Sequence, residues 1–252
     1  MKNPEGPQSG LMRRIDAYWS GRAREFSSTR MKEYGGRLRG LYEEVILPLV
    51  PSGAKFALDL GTGAGFFALL LAQKGLRVTG VDYSEAMLEQ ARCNARARGL
   101  SIEFRQMDAQ ALDFPDESFD FVFSRNVTWT LPRPELAYEG VARVLKRGGV
   151  FVNIDANYGR TFRVADQAGE PPVHPGQTAA QLRERNDIAE RLPVTDRDRP
   201  DWDISVLKKA GLRLRALDRD LSLRLSDPDQ MVIVTGAKGH VSRLFLIAME
   251  KI

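Results

Sequence analysis

Three glycines on alternate positions, Gly61, Gly63 and Gly65, close an apolar run that carries an acid at Asp59. A second acid, Asp82, follows the first glycine by 21 positions, at the end of a second apolar run. A strand, a glycine loop, a helix and a second strand closed by an acid form a nucleoside-binding unit, in which the acid grips the ribose hydroxyls. The glycine spacing selects among nucleosides. A dinucleotide fingerprint needs a glycine three places after the second one, and this chain has Phe66 there. Pyrophosphate needs backbone N–H groups at a glycine-lined helix N-terminus, and an acid at Asp59 just ahead of the loop repels it. The same acid suits a ligand with a cationic end.

The pattern Asp-x-Gly-x-Gly-x-Gly resembles motif I of the class I S-adenosylmethionine (SAM) methyltransferases, small-molecule branch, which includes quinone-biosynthesis enzymes. SAM has no phosphate and carries a sulfonium, an ammonium and a carboxylate, so Asp59 can serve the ammonium directly or through water. The resemblance runs closely over 55–155 and loosely over about the last 50 residues. It implies that Gly61, Thr62, Gly63 and Gly65 border the methionine part of SAM and that Asp82 holds the ribose. Ser84 is expected to cap the next helix and so leave Asp82 free. By position the resemblance also puts Tyr83 and Met87 along the adenine, Asp108 and Ala109 at its edge, and Ser124, Arg125 and Asn126 toward the transferable methyl. The aromatic segment around Tyr18, Trp19 and Arg22 is expected to close over the cofactor. Methyl transfer leaves S-adenosyl-L-homocysteine (SAH).

The expected reaction is transfer of a methyl group from SAM to a small-molecule acceptor by in-line displacement. The sulfonium is already a good leaving group, which fits a sequence without a triad, a nucleophile pair or a metal cluster. A general base is needed only for a protonated acceptor, and Asp155, Tyr158 and His174 are candidates by location alone. With two histidines in the chain, no metal site is expected. The methyltransferases that act on DNA adenine or protein glutamine carry tandem prolines after strand 4. Here Ser124-Arg125-Asn126-Val127-Thr128-Trp129 stands instead, with Trp129 either a wall of the acceptor pocket or core. An RNA or protein methyltransferase and a non-catalytic SAM-binding protein remain the alternatives.

These residues need an α/β scaffold: a doubly wound, mostly parallel sheet with an antiparallel last strand. Strands are predicted over 55–60, 77–82, 102–107, 119–124 and 150–155, with helices over 65–74 and 84–98 and from Pro134 through Arg147 to the Gly148-Gly149 stop. Two or three helices over 11–49 precede the sheet, so 1–52 reads as a helical segment covering the cofactor site and 53–252 as the SAM-binding domain. After strand 5 the rhythm breaks. The segment 156–200 is rich in Pro and Gly around 169–176 and then helical over 178–191, with seven basic and seven acidic residues. A connection this long usually acts as a lid or binding loop. A helix over 204–210, a segment over 212–221 and a strand over 242–249 complete the chain.

With 252 residues, 43% of them hydrophobic, the chain can bury a substantial core. No apolar segment long enough for a membrane span and no signal peptide are seen. The single cysteine, Cys93, reads as a buried small residue in a reducing, cytoplasmic setting. The net charge of +4 is concentrated in 11–40, which carries +5 and leaves the rest near neutral. Nucleic acid is therefore not the expected partner; a small molecule is, with the chain a monomer or homodimer.

Overall fold

The computed structural model describes residues 7–167, 177–225 and 243–252. Helices α1 (Pro7–Ser20), α2 (Ala23–Gly35) and α3 (Arg37–Ile46) lead into a strand-helix alternation: β1 (Phe56–Leu60), α4 (Phe66–Gln73), β2 (Arg77–Asp82), α5 (Glu85–Arg96) and β3 (Glu103–Gln106). The alternation continues with β4 (Phe119–Arg125), α6 (Pro134–Val144) and β5 (Leu145–Asp155). After β5 come α7 (Tyr158–Gln167), α8 (Ala179–Glu190) and α9 (Asp201–Lys209), then β6 (Leu212–Asp218) and β7 (Phe245–Lys251). The strands form one seven-stranded sheet in the order β3-β2-β1-β4-β5-β7-β6. The first five pair in parallel, and β7 runs antiparallel to both β5 and β6.

The central strands are apolar on both faces because both faces are covered. Along β4, Phe121 and Phe123 point to the layer holding Tyr42, Phe66 and Phe67, while Val122 points to the layer holding Tyr138 and Val141. Successive strand side chains alternate between faces, so each residue of this run serves one of two cores. The chain leaves β1 toward β2 and β3 on one side and fills β4 and β5 on the other. A crevice therefore opens beyond the carboxyl ends of β1 and β4, where ligands bind in such sheets. A third apolar cluster roofs this end. Met12, Ile15 and Tyr18 of α1 pack there with Trp129, Tyr158, Phe162, Ile188 and Leu192.

Three expectations need correction. Helix α6 stops at Val144, and the chain enters β5 at once, at Leu145. The Leu145 carbonyl accepts from Lys251 Nζ at 2.7 Å, Lys146 Nζ binds Asp120 at 2.8 Å, and the register with β4 shifts between Phe119 and Phe121. The two glycines serve this irregularity and not a helix cap. Second, the segment after β5, where only a helix over 178–191 is expected, opens with a further helix, α7. Third, Cys93 is exposed. The buried face of α5 is Met87, Leu88, Ala91 and Ala95, and Cys93 falls outside that stripe.

Candidate active site

The loop after β1 is shaped by φ values of +68° at Gly61 and +52° at Gly63, which L side chains adopt only with strain. Gly61 also has no room: a Cβ there would lie 2.2 Å from Val127 Cγ2. Beneath the loop, Asp59 Oδ2 accepts from Thr62 Oγ1 at 2.6 Å and from the Ala68 backbone N–H at 2.9 Å. Burial pushes the Asp59 carboxyl up to about 7, against the pull of those two hydrogen bonds. Asp59 and Thr62 thus brace the loop and the start of α4 from behind, and neither lines the cavity in front of it.

Asp82 ends β2 facing the cavity. Its Oδ2 accepts from the Gly63 N–H at 2.8 Å and its Oδ1 from the Ser84 N–H at 2.9 Å. Ser84 Oγ does cap α5, accepting from Met87 N–H at 3.2 Å. That cap does not leave Asp82 free, as the sequence suggested: the carboxylate itself ties the glycine loop to the start of α5. Burial raises its pKa, and the bonds from Ser84 and Gly63 hold it down. Each carboxylate oxygen still has a lone pair for a ligand hydroxyl.

The cavity has a volume of about 300 Å³, within the range of small-ligand sites. Its walls bring together most of the residues singled out from the sequence. Gly61, Gly63, Asp82, Tyr83, Met87, Asp108 and Ala109 form the side nearest β1 and β2, and Arg125 and Asn126 follow β4. Tyr18, Trp19 and Arg22 come from the N-terminal helical segment, and Tyr158 from the start of α7. Trp129, left open between wall and core, is both: it lines the cavity and packs on Tyr158 and Phe162 with ring centroids 5.0 Å and 6.0 Å away.

Other candidates stand elsewhere. Gly65 packs α4 against α5, since a Cβ there would meet Ala91 Cβ at 3.2 Å. Ser124 is wholly buried and its hydroxyl has no partner among the described residues. His174 lies outside the described residues. Asp155 is buried away from the cavity. Its Oδ2 accepts from Thr128 Oγ1 at 2.5 Å and from the Trp129 N–H at 2.9 Å, its Oδ1 from the Ala156 N–H at 2.8 Å, and Arg199 stands 3.4 Å off. Arg199 also pairs with Asp203 of α9 at 2.7 Å. This closed network pins the Thr128–Trp129 turn, and it gives Asp155 no access to an acceptor. Tyr158 does reach the cavity, but burial drives its hydroxyl well above the ordinary tyrosine range, although the Arg125 charge opposes this. It is a hydrogen-bond donor, to Asn126 Oδ1 at 2.9 Å, and not a base at neutral pH.

The sequence reading missed Asp16, Phe26, Arg30, Phe162 and Arg185, all in the cavity wall. A signal for some of them was present. Tyr18, Arg22, Phe26 and Arg30 stand four apart, the spacing of one helical face, so the segment around Tyr18 could have been extended by two turns.

Comparison with known proteins fits this geometry. Residues 58–153 match the model of the family described as a methyltransferase domain. This stretch resembles a methyltransferase domain and has the class I methyltransferase fold. It runs from within β1 to within β5 and so includes the glycine loop, Asp82, Asp108 and Arg125. The domain is 41% identical over 100 residues to a phosphatidylethanolamine N-methyltransferase of Cereibacter sphaeroides, covering 39% of this chain and 49% of that protein. It is 38% identical over 128 residues to a demethylmenaquinone methyltransferase of Thermus thermophilus, covering 50% of this chain and 58% of that protein. The chain thus spans about half the length of these curated relatives. An S-adenosylmethionine-dependent methyltransferase from Mesorhizobium loti has the same fold, with a TM-score of 0.59 at 19% identity over 86% of this chain and all of that one. The methyltransferase domain implies SAM as methyl donor.

Proposed function

We propose that this chain is a SAM-dependent methyltransferase acting on a small-molecule acceptor. The observation that carries this reading is a cavity at the carboxyl ends of the strands, walled by the glycine loop, Asp82, Met87, Asp108 and Ala109 on one side and by Arg125, Asn126, Trp129 and Tyr158 on the other. The first wall suits SAM. The sealed turn at Gly61 leaves its backbone exposed to a ligand, Asp82 offers carboxylate lone pairs to ribose hydroxyls, and Tyr83 and Met87 offer an apolar surface to adenine. Bound there, SAM supplies an electrophilic methyl group on a sulfonium.

The chain's own part is to bind, align and exclude water. Holding two reactants in a near-attack pose lowers a barrier by about 7–11 kcal/mol, and neither Asp155 nor Tyr158 is placed to remove a proton. The N-terminal helices, with α7 and α8 of the segment after β5, act as a cover. Arg14 of α1 binds Glu184 and Asp187 of α8 at 2.9 Å and 2.6 Å, and Tyr18 donates to Gln177 at 3.2 Å. Such a roof suits a small acceptor better than a polymer. Part of the N-terminal positive charge is also paired inside the molecule, as Arg14 with Glu184 and Arg39 with Glu43.

Calorimetry is the direct test: SAM and SAH are expected to bind at micromolar levels and NAD not at all. Transfer of labelled methyl to a small-molecule extract, insensitive to added salt, is expected alongside. Absence of SAM binding would refute the reading, and a steep salt dependence would favour a nucleic-acid substrate.

A further inference from the structure

At the acceptor side of the cavity two guanidinium groups stand together with too few anions. Arg30 pairs with Glu33 at 2.6 Å, and the Glu33 side chain is only 3% exposed. Arg125, at the end of β4, has no carboxylate within ion-pair distance among the described residues, and the Glu33 charge that it shares with Arg30 reaches it only from farther away. It lies over the Tyr42 ring at 5.2 Å and the Phe67 ring at 5.9 Å and meets the Tyr42 hydroxyl. The Nε atoms of both arginines are sealed from solvent with no hydrogen-bond acceptor among the described residues. Burial first, and then the neighbouring Arg125 charge, pull the Arg30 guanidinium below its usual range. A buried charge without a counter-charge is costly, so this corner holds a cation in waiting.

The cavity's acids do not relieve it. Asp82 binds the Gly63 and Ser84 N–H groups and faces the ribose position, and Glu25 stands 3.7 Å from Arg22. Asp16 accepts from Ser20, whose hydroxyl meets Ser84, and Asp108 accepts from Gln110. These belong to the nucleoside side, through contacts that do not include Arg30 or Arg125. SAM does not relieve it either. It brings a sulfonium and an ammonium against one carboxylate, so whichever guanidinium meets that carboxylate, the excess of positive charge grows by one. The surroundings of Arg125 also limit the shape of what can reach it. Trp129, Tyr158 and Phe162 form an aromatic wall, the latter two rings stacked at 27°, and Tyr158 with Asn126 holds its polar edge in place.

We propose that the methyl acceptor is a small apolar molecule bearing a carboxylate, and that Arg125 receives that carboxylate beside the aromatic wall. This rests on the methyltransferase reading and narrows its substrate class. The planar fork of arginine suits a carboxylate through paired N–H donors. Arg125 then acts as a specificity-determining residue: it orients the acceptor, and the bound anion gives its guanidinium a counter-charge and offsets the charge that SAM adds.

The test uses SAH-loaded protein titrated with benzoate, benzamide and benzylamine, three probes of one shape and different charge, read by NMR of the arginine Nε–H signals. Benzoate is expected to bind at least about tenfold more tightly than benzamide, the worth of a charged hydrogen bond, and to shift an Arg125 signal assigned by its loss in Arg125→Lys. Benzylamine is expected not to bind. Arg125→Gln is expected to abolish the benzoate preference while leaving SAH affinity within a few-fold, and Arg125→Lys, which keeps the charge, to retain part of it. Equal binding of benzoate and benzamide, or no binding of benzoate, would overturn the proposal. So would a loss of SAH affinity in Arg125→Gln as large as the loss of benzoate preference, which would give Arg125 to the cofactor's carboxylate. A wild-type protein that fails to bind SAH would instead overturn the methyltransferase reading itself.

Discussion

Val127 and Gly61 meet beyond the ends of β4 and β1, with Val127 Cγ2 only 2.2 Å from where a Cβ on Gly61 would be. The glycine is thus required twice, by its φ of +68° and by its neighbour. Gly53 separates the two requirements, since its φ is +76° but nothing lies within 4 Å of its Cβ position. Gly53→Ala is expected to cost about 1–2 kcal/mol, the penalty of the left-handed conformation alone. Gly61→Ala is expected to cost clearly more, and the added substitution Val127→Ala to recover part of the excess. Urea denaturation of these three variants and of Val127→Ala alone measures this. Equal losses in Gly53→Ala and Gly61→Ala would show that the contact carries no weight.

Asp82 is expected to matter to the ligand more than to the fold. A charged hydrogen bond is worth about 1.5–3 kcal/mol, so Asp82→Asn should weaken SAM binding by roughly tenfold to a hundredfold. The amide keeps one acceptor for the Gly63 or Ser84 N–H, whereas Asp82→Ala releases both and should also lower stability. An unchanged dissociation constant for Asp82→Asn by calorimetry would remove this residue from the site.

The roof should be held by local contacts of modest strength. Arg14 and its partners Glu184 and Asp187 are each a third to a half exposed, and such pairs contribute about 0.2–1 kcal/mol and weaken with salt. Arg14→Ala is therefore expected to leave the overall melting temperature nearly unchanged. Amide hydrogen exchange, however, should accelerate in α8 and not in the sheet. Exchange unchanged in α8, or raised throughout, would argue against a separately opening cover.

The sheet was legible because its signals are local. The run 57–67 names a strand, a loop and a helix in eleven residues, and the alternation that follows admits one class of fold. The site was legible where residues sit on the loops of that alternation, as Asp82, Asp108 and Arg125 do. It was not legible where partners come from far away. Nothing near Asp155 announces Arg199, 44 positions on, and without that partner the acid at the end of β5 reads as a candidate base. Asp59 misleads in the opposite way. Its place before the glycines suggests a ligand, yet its accepting oxygen is turned to Thr62 and Ala68, three and nine positions later. Helix α7 was hidden by the Pro- and Gly-rich composition downstream of it, which coloured the whole segment as loop.

Asp59 gives the last prediction, a pH dependence with a definite sign. Its carboxyl is raised from 3.8 to about 7 because burial disfavours the charged form. Between those values the unfolded chain has released a proton that the folded chain retains, so stability falls as pH rises and levels off above about 7. At about 1.36 kcal/mol per unit the full effect is at most about 4 kcal/mol. Asp82 and Asp155 are raised as well and slope the same way, so the readout is the difference between wild type and Asp59→Asn. Both hydrogen bonds to Asp59 converge on Oδ2, and a single amide oxygen can accept both. The variant is therefore expected to gain on wild type in urea melts between pH 5 and pH 8, by about 2–3 kcal/mol. A variant that is weaker than wild type at pH 8 by more than at pH 5 would mean that the fold uses the ionised carboxylate, and the assignment of Asp59 as a neutral brace beneath the glycine loop would fail.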